Sequence, residues 1–318
     1  NQLLYAQAFQ NPGRTDFTFH IYKIDSEGKF THLATAQGGH KNISVALDKN
    51  ENIWITSHSG LMHVNTSIVE CFANASPMVP NLHTINEDEQ GRIWFGGYST
   101  GLCYFKDEKL NPSPPEASHF TRFLPGHYKD GNGSMAFWTE DYYMITYDRG
   151  IWKDTRSISG IEGRQVGYYF LPLQNGKIAA GFQNFGLGIT DAPLTVNSKW
   201  KFISKDKGML LNNVVTIAED DRHHLWLGRM SEGIALYDPQ LDTAQTWMLN
   251  IETSFNFGMI SSVVDREGRL WLGCSNGLYI LQDPAAFQMF KDDLPSLLEK
   301  INLGEAGSSQ VDFVTTYE

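Results

Sequence analysis

The stretch GRLWLGCSNGLYIL, residues 268–281, decides the fold of this chain. It begins with a short apolar run around Trp271, breaks at the small residues CSNG, and resumes with a second apolar run after Gly277. Serine, asparagine and glycine adopt the tight dihedral angles of turns, whereas aromatic and branched residues favour strands. The stretch therefore predicts two short antiparallel strands joined by a tight turn.

The same arrangement recurs along the chain, each time after an alternating apolar segment and an acidic turn. The clear copies are NIWITSHSGLMHVN (52–65), GRIWFGGYSTGLCYFK (91–106) and HLWLGRMSEGIALYD (224–238). Degenerate copies at 143–154 and 177–191 carry Met144 and Ala179 where the others carry tryptophan. A spacing of roughly 35–50 residues, with several short strands in each unit, is typical of the blades of a β-propeller.

The repeated tryptophan is predicted to pack between blades rather than to bind a ligand. Its indole is large enough to fill the gap between two stacked, twisted sheets, and it occupies one equivalent position in the second strand of four copies: Trp54, Trp94, Trp226 and Trp271. The other tryptophans lie off this register and are given no role: Trp138, Trp152, Trp200 and Trp247. The acidic turns before the second strands are predicted to be solvated.

The two ends of the chain are expected to complete a seventh blade together. The C-terminal QVDFVTTYE (310–318) has the pattern of a first strand that reaches its acidic turn. The N-terminus supplies a second, a third and a fourth strand, with Leu4 near the tryptophan position. Because such closure removes two exposed sheet edges, we predict an all-β, seven-bladed β-propeller closed between its termini, in a single domain over residues 1–318.

The fourth strands are the least regular part of each repeat. Those predicted after the first blade are IVECFA, HFTRFL, WKFISK, AQTWML and AFQMFK. A short helix is predicted only at 292–301, with Pro295 in its first turn.

Composition restricts the partners of the chain. The 318 residues carry a net charge of -11, which argues against nucleic acid or an anionic membrane surface as a partner. No apolar run approaches the roughly 20 residues that span a bilayer, so no membrane span is expected in this chain. Three cysteines are too few for a disulfide framework.

The repeat at 211–239 and 259–281 resembles a known family. Its pattern of paired acidic residues, a tryptophan and a later Gly-Leu or Gly-Ile is similar to the two-component regulator propeller repeat. That repeat builds the extracytoplasmic sensor regions of bacterial hybrid sensor kinases. The resemblance implies a non-enzymatic sensor of signal transduction in the periplasm or outside the cell. It also implies that the chain is a sensing piece of a larger sensor or a free-standing relative.

The candidate binding site follows from propeller geometry. The turns between second and third strands, and the connections that lead into first strands, are expected to gather around one mouth. Amides, arginines and aromatic rings at that mouth suit an oligosaccharide. The candidates are His40, His58, Asn81, Tyr98, Arg149, Gln165, Asn184, Phe185, Asn213, Arg229, Asn256 and Asn276. The alternative is that these amides satisfy the turn backbone and the aromatic rings cap the blades.

No catalytic residue, metal site or cofactor is predicted. GYSTG (97–101) matches a nucleophile elbow around Ser99, but a strand follows where that motif requires a helix. The histidines lack zinc-binding spacing, and DGNG (130–133) does not continue as a calcium loop. The alternative function is a propeller-type polysaccharide lyase or hydrolase that assembles His40, His58, His83 and Arg149 from separate blades. A platform for a partner propeller or a homodimer is the third hypothesis.

Overall fold

The computed structural model consists almost entirely of short antiparallel strands. It describes residues 2–10, 17–37, 44–48, 50, 52–57, 60–64, 69–71, 82–97, 101–112, 114–118, 123–129, 134–139, 144–155, 167–192, 194, 198–203, 205–209, 212–229, 233–247, 259–274, 277–301 and 310–317. The strands form seven four-stranded sheets arranged as a seven-bladed β-propeller, which confirms the predicted fold.

Each blade is one sheet whose four strands lie side by side in the order first to fourth. Blade 1 contains β28 (Gln310–Tyr317), β1 (Gln2–Gln10), β2 (Phe17–Ile24) and β3 (Phe30–Gln37). Blade 2 contains β4 (Ser44–Leu47), β5 (Ile53–Ser57), β6 (Gly60–Val64) and β7 (Val69–Cys71). Blade 3 contains β8 (Leu82–Glu87), β9 (Ile93–Gly97), β10 (Gly101–Lys106) and β11 (Lys109–Asn111). Blade 4 contains β12 (Phe123–Lys129), β13 (Met135–Thr139), β14 (Met144–Asp148) and β15 (Ile151–Thr155).

The remaining blades follow in chain order. Blade 5 contains β16 (Gly167–Pro172), β17 (Lys177–Phe182), β18 (Gly186–Asp191) and β19 (Lys201–Ile203). Blade 6 contains β20 (Thr216–Glu219), β21 (Leu225–Gly228), β22 (Ile234–Asp238) and β23 (Thr243–Trp247). Blade 7 contains β24 (Met259–Val264), β25 (Leu270–Cys274), β26 (Gly277–Leu281) and β27 (Glu299–Ile301). A short helix, α1 (Leu294–Leu297), and a 3-10 turn (Lys205–Lys207) complete the described elements.

Blade 1 is built from both ends of the chain, as predicted. Strand β28 pairs antiparallel with β1, from Gln2 opposite Tyr317 to Phe9 opposite Gln310. Strand β1 then pairs with β2, and β2 with β3. The side chain of Leu4 lies outside the described residues, so its predicted place at the tryptophan position stays a prediction.

An aspartate that is buried in three blades and half-buried at Asp48 holds each of the four repeated tryptophans in place. In blade 3, the Trp94 indole Nε1 donates to Asp88 Oδ2 at 2.8 Å, while Asp88 Oδ1 accepts from the backbone N–H groups of Gln90 and Arg92. The same indole-to-carboxylate bond joins Trp54 to Asp48, Trp226 to Asp220 and Trp271 to Asp265 at 2.7–3.0 Å. The prediction that the acidic turns are merely solvated is therefore wrong for these aspartates, which we call the latch aspartates.

Blade 5 has lost both partners of this latch together. Leu173 occupies the aspartate position and Ala179 the tryptophan position, and both side chains are buried. The turn keeps its backbone bonds, since Leu173 N–H donates to Lys177 O and Gly176 N–H donates to Leu173 O, as in blade 3. The chain thus shows that an apolar pair can replace the latch when both residues change.

The latch makes stability depend on pH, most simply at Asp48, because the groups that donate to that carboxylate are neutral. Burial raises the pKa of Asp48, but hydrogen bonds from the Trp54 indole, the Asn52 side chain and two backbone N–H groups outweigh it and lower the pKa. A lowered folded-state pKa gives stability that is complete above the unfolded value of about 3.9 and is lost as pH falls through the folded value.

We therefore expect Asp48→Asn to show a smaller loss of stability than the wild type between about pH 5 and pH 2. Urea unfolding at several pH values measures this difference. Asp107→Asn, in an exposed hairpin turn, is the matched control and should keep the wild-type acid dependence. Equal acid dependence of Asp48→Asn and wild type would contradict the latch account.

In blade 4, the segment that was predicted to be the second strand is the third strand. Met144 was expected at the tryptophan position of a second strand, but β13 is the second strand and Met144 begins the third, opposite Trp138. Trp138, which had no predicted role, is 1% exposed and packs against Phe170. The first strand β12 has an irregular register between Phe123 and His127, which hides the alternation that would have identified it.

Two fourth strands and the helix also differ from expectation. HFTRFL was predicted as the fourth strand of blade 3, but β11 fills that place and Phe123 begins blade 4. AFQMFK was predicted for blade 7, but β27 is its fourth strand. The predicted helix at 292–301 is confirmed only at Leu294–Leu297, with a proline in its first turn. None of the described helices meets the length and hydropathy of a membrane span.

The chain divides into two compact units. One contains residues 1–37, 181–188 and 202–318, and the other contains residues 38–180 and 189–201. In the first, the core around Trp271 includes Leu3, Tyr5 and Ile24 of blade 1. In the second, the core around Trp94 includes Phe137 and Tyr147 of blade 4. The single domain over residues 1–318 stays a prediction.

Candidate functional site

Strand direction gives each blade two ends. The mouth end carries the turn from the second to the third strand and the connection from the fourth strand to the next blade. The base end carries the other two turns. Of the twelve candidates, the structure describes Arg149, Asn184, Phe185, Asn213 and Arg229. The others lie outside the described residues: His40, His58, Asn81, Tyr98, Gln165, Asn256 and Asn276.

The connection into blade 6 binds the mouth-end turn of blade 5. Asn184 N–H donates to Asn213 Oδ1 at 3.0 Å, and Gly186 N–H donates to Asn212 O at 3.0 Å. Asn184 has a φ of 68°, a left-handed conformation that asparagine tolerates. The Asn213 side chain therefore satisfies the turn backbone, as the alternative interpretation expects, and positions Asn184 and Phe185.

Gly181 allows this close approach. A Cβ atom at position 181 would lie 2.3 Å from the backbone oxygen of Val214, which no side-chain rotation relieves. We expect Gly181→Ala to lower the free energy of unfolding by about 1–3 kcal/mol, because the connection must move. Gly176→Ala is the control for the steric part of this loss.

Gly176 has open space around it and a φ of 79°, so only backbone strain opposes a side chain there, at about 1–2 kcal/mol. Chemical denaturation measures both variants. The close-approach account also requires Gly181→Ala, but not Gly176→Ala, to shift the amide resonances of Asn184 and Gly186. Unchanged resonances in Gly181→Ala would contradict it.

Three phenylalanine rings form an aromatic row that leads from the surface of the same turn into the core. The Phe185 ring centroid is 5.1 Å from that of Phe202, which in turn is 5.5 Å from that of Phe182. Phe182 is fully buried, whereas Phe185 is 37% exposed. This row supports the Phe185 ring, which is open to solvent beside the exposed Asn184 side chain. Sequence reasoning missed Phe202, because it belongs to a fourth strand far from the turn in sequence.

The two arginines lie at opposite ends of their blades. Arg229 directly follows β21 at the mouth end of blade 6 and is partly buried. Arg149, predicted for the mouth, lies in the turn between β14 and β15 and is therefore at the base end of blade 4. With Gly150 it forms a two-residue hairpin turn with both φ values positive, the same turn as Asp107–Glu108 in blade 3. The prediction for Arg149 was wrong because the strand before it is the third strand of its blade.

The base end of blades 6 and 7 holds a cavity of about 320 Å³ with an acidic lining. Its walls include Asp220, Asp221, Glu267, Gln282, Asp283 and Ala285. Asp220 is already bonded to the Trp226 indole, and Arg222 Nη1 donates to Ala285 O at 2.9 Å. The cavity therefore lies between structural turns, away from the predicted mouth.

The described residues contain no group of three histidine, cysteine, aspartate or glutamate side chains placed to hold a metal ion. Ser99 of the nucleophile-elbow match and Asp130 of the calcium-loop match lie outside the part of the chain that the structure describes, and so does the side chain of His83. At the mouth end of blades 5 and 6, the aromatic row and the asparagine beside it are described groups with a chemistry suited to ligand recognition.

Comparisons with known proteins identify the fold. No family model and no curated protein sequence matches the chain. A catalytically inactive virginiamycin B lyase from Staphylococcus aureus, solved with quinupristin, superposes with a TM-score of 0.59 and 12% identity over 85% of this chain and 92% of that chain. YCF48 from Cyanidioschyzon merolae superposes with a TM-score of 0.58 and 11% identity over 90% of this chain and 97% of that chain.

A third likeness is to the extracellular domain of a candidate hybrid two-component system, BT3049 of B. thetaiotaomicron. It superposes with a TM-score of 0.54 and 18% identity over 89% of this chain. The chain spans 45% of the length of that protein. At these identities the likenesses establish the propeller fold alone.

Proposed function

We propose that the chain is an extracytoplasmic recognition propeller of the two-component regulator type, and that it binds a carbohydrate at the mouth end of blades 5 and 6. The observation that carries the proposal is the exposed Phe185 ring, supported from behind by Phe202. The motif at 211–239 and the likeness to an extracellular two-component domain support the sensor class.

The chemistry of this surface suits a sugar. The apolar face of a pyranose ring stacks on an exposed aromatic ring, and amides bind the hydroxyl groups at its edge. The Asn184 side chain is exposed beside Phe185, and its backbone is fixed by Asn213. A ring that is already supported, and an asparagine whose backbone is already fixed, lose less conformational entropy on binding than a mobile loop would, which raises affinity.

Thermal-shift and calorimetric titrations with an oligosaccharide panel test the proposal, because a ligand that binds only the folded state raises the melting temperature. We expect at least one oligosaccharide to bind the wild type and Phe185→Ala to weaken it at least tenfold. Phe290→Ala is the matched control, because Phe290 is 63% exposed and its backbone N–H donates to the side chain of Gln245, in the fourth strand of blade 6 rather than in a mouth-end turn. Absence of any glycan response, with a protein partner captured at the same surface, would replace the sugar by a partner propeller or a second copy.

The alternative function is a polysaccharide lyase or hydrolase. The likeness to virginiamycin B lyase supports the lyase class only, and the carbohydrate substrate rests on the same surface as the first proposal. Uronic-acid oligosaccharides incubated with metal-supplemented protein would give an unsaturated product that absorbs in the ultraviolet. Steady formation of that product would overturn the sensor proposal. A glycan that binds without turnover supports the sensor proposal.

A further inference from the structure

The outer strands of blade 1 bring two histidines and a threonine to one face. Strand β2 pairs with β3 so that His20 lies opposite Thr35 and Tyr22 lies opposite His32. The imidazole centroids of His20 and His32 are 5.9 Å apart, and the Tyr22 ring flanks His32 at 5.3 Å. This cluster, which we call the outer-strand histidine pair, belongs to a different blade from Asn184 and Phe185.

A β-bulge creates this arrangement. His32 and Thr35 are three residues apart, and in a regular strand that separation would place their side chains on opposite faces. The register of β3 shifts between the partners of Ile21 and Tyr22, which leaves Leu33 as the extra residue. One extra residue reverses the alternation, and bulges re-aim side chains in this way near functional sites.

The two imidazoles converge on a single oxygen atom. His20 Nδ1 lies 3.1 Å and His32 Nε2 lies 3.0 Å from the hydroxyl Oγ1 of Thr35. A hydroxyl carries one proton, so it can donate to only one of these nitrogens, and the other imidazole must donate to the oxygen. For a divalent ion to bind at the same place, the imidazole that donates must take the tautomer with its proton on the other ring nitrogen, and the Thr35 hydroxyl must turn away. Both nitrogen lone pairs can then bind the ion at about 2.0–2.1 Å.

We propose that the outer-strand histidine pair binds a divalent transition metal ion, of the class of Cu²⁺ and Zn²⁺, through His20 Nδ1 and His32 Nε2. Neutral imidazole suits these ions, and either ring nitrogen can be the ligand. His32 and Thr35 are exposed, so modest rotation of the side chains closes the distance and water fills the remaining coordination positions. The net charge of -11 further favours a cation. The ion would bridge two neighbouring strands of the blade.

Calorimetric titration with Zn²⁺, and with Cu²⁺ followed by electron paramagnetic resonance, tests the proposal on the full chain. The wild type should bind one ion per chain at its strongest site, with two imidazole nitrogens visible in the Cu²⁺ spectrum. His20→Gln and His32→Gln should each weaken that site at least tenfold. Their melting temperatures without metal should stay close to that of the wild type, because His32 is exposed and His20 is only partly buried.

Two further variants separate metal binding from a purely hydrogen-bonding role. His223→Gln removes another exposed histidine, paired with Glu219 at 2.9 Å, and should change the affinity less than twofold. Thr35→Val removes the shared hydroxyl but keeps both imidazoles, so metal binding should persist. The proposal fails if the wild type takes up no stoichiometric ion, if His20→Gln and His32→Gln leave the affinity unchanged, or if Thr35→Val abolishes binding.

Discussion

Trp94→Ala is expected to lower the free energy of unfolding by about 3–5 kcal/mol. The Trp94 side chain is 1% exposed, packs between Tyr104 and Trp152, and lies 4.9 Å from the Arg92 guanidinium. Its removal leaves a cavity between two blades and takes one donor away from Asp88 Oδ2. Denaturant unfolding of the variant against wild type measures the loss.

A double-mutant cycle tests whether the latch acts as a unit. Asp88→Leu alone is expected to be strongly destabilising, because it leaves the indole N–H and the turn N–H groups without their buried acceptor. Asp88→Leu combined with Trp94→Ala reproduces the Leu173 and Ala179 pair of blade 5. We expect the combined loss to be smaller than the sum of the single losses by about 1–3 kcal/mol. Additive losses would contradict a coupled latch.

Deletion of residues 310–318 is expected to abolish the sharp, cooperative unfolding transition of the wild type. Strand β1 would lose a ladder of eight paired residues and present an unpaired edge. An open sheet edge of this length promotes aggregation. Circular dichroism melting and size-exclusion chromatography should show a broad, early transition and larger species.

The peptide QVDFVTTYE, added in trans, is the matching rescue. An extended peptide can complete a sheet by strand addition, so it should restore a cooperative transition in the truncated chain. The same peptide with proline at both Val314 and Thr315 should fail to restore it, because adjacent N–H groups of a strand point to opposite sides and one of the two must face β1. A truncated chain that melts like the wild type would show that β28 does not contribute to the stability of blade 1.

The closure and the four clear repeats could be predicted because their signals are local. Trp54, Trp226 and Trp271 each follow an aspartate by six residues, and packing, turn and latch all depend on residues within one short segment. The terminal strands carry the same alternation as their counterparts in other blades. The role of the aspartates was not predicted. A run of acidic residues indicates a solvated turn, and nothing in that charge pattern links an aspartate to a tryptophan six residues later.

Blade 4 could not be placed because its strongest local signal belongs to another turn. Arg149 and Gly150 form a two-residue hairpin turn, and the segment around it matches the spacing of the second and third strands elsewhere. The irregular first strand around His127 gives no competing pattern. The Arg149–Gly150 turn lies at the base end because it joins the third and fourth strands. That strand order depends on pairing between distant segments, which the sequence pattern does not show.

The candidate site was predicted by position rather than by contact. Asn184 and Phe185 do lie in a mouth-end turn. The hydrogen bond from the Asn184 N–H to the Asn213 side chain joins two blades, so the sequence could not indicate it. Phe202 and the outer-strand histidine pair were missed because their partners lie on neighbouring strands. In the histidine pair, a bulge at Leu33 also reverses the alternation that a sequence pattern assumes.

The pairing of the first and last strands in one blade, in a fixed register, is tested most directly by a disulfide. Ala8 and Val311 are paired across β1 and β28, and antiparallel partners have Cα atoms about 4.5–5.5 Å apart, within the range that a disulfide spans. Oxidised Ala8→Cys/Val311→Cys protein should contain that crosslink by peptide mass mapping and melt at a higher temperature than its reduced form. No crosslink in that variant, or an equally efficient one in Ala8→Cys/Thr315→Cys, would contradict the closure.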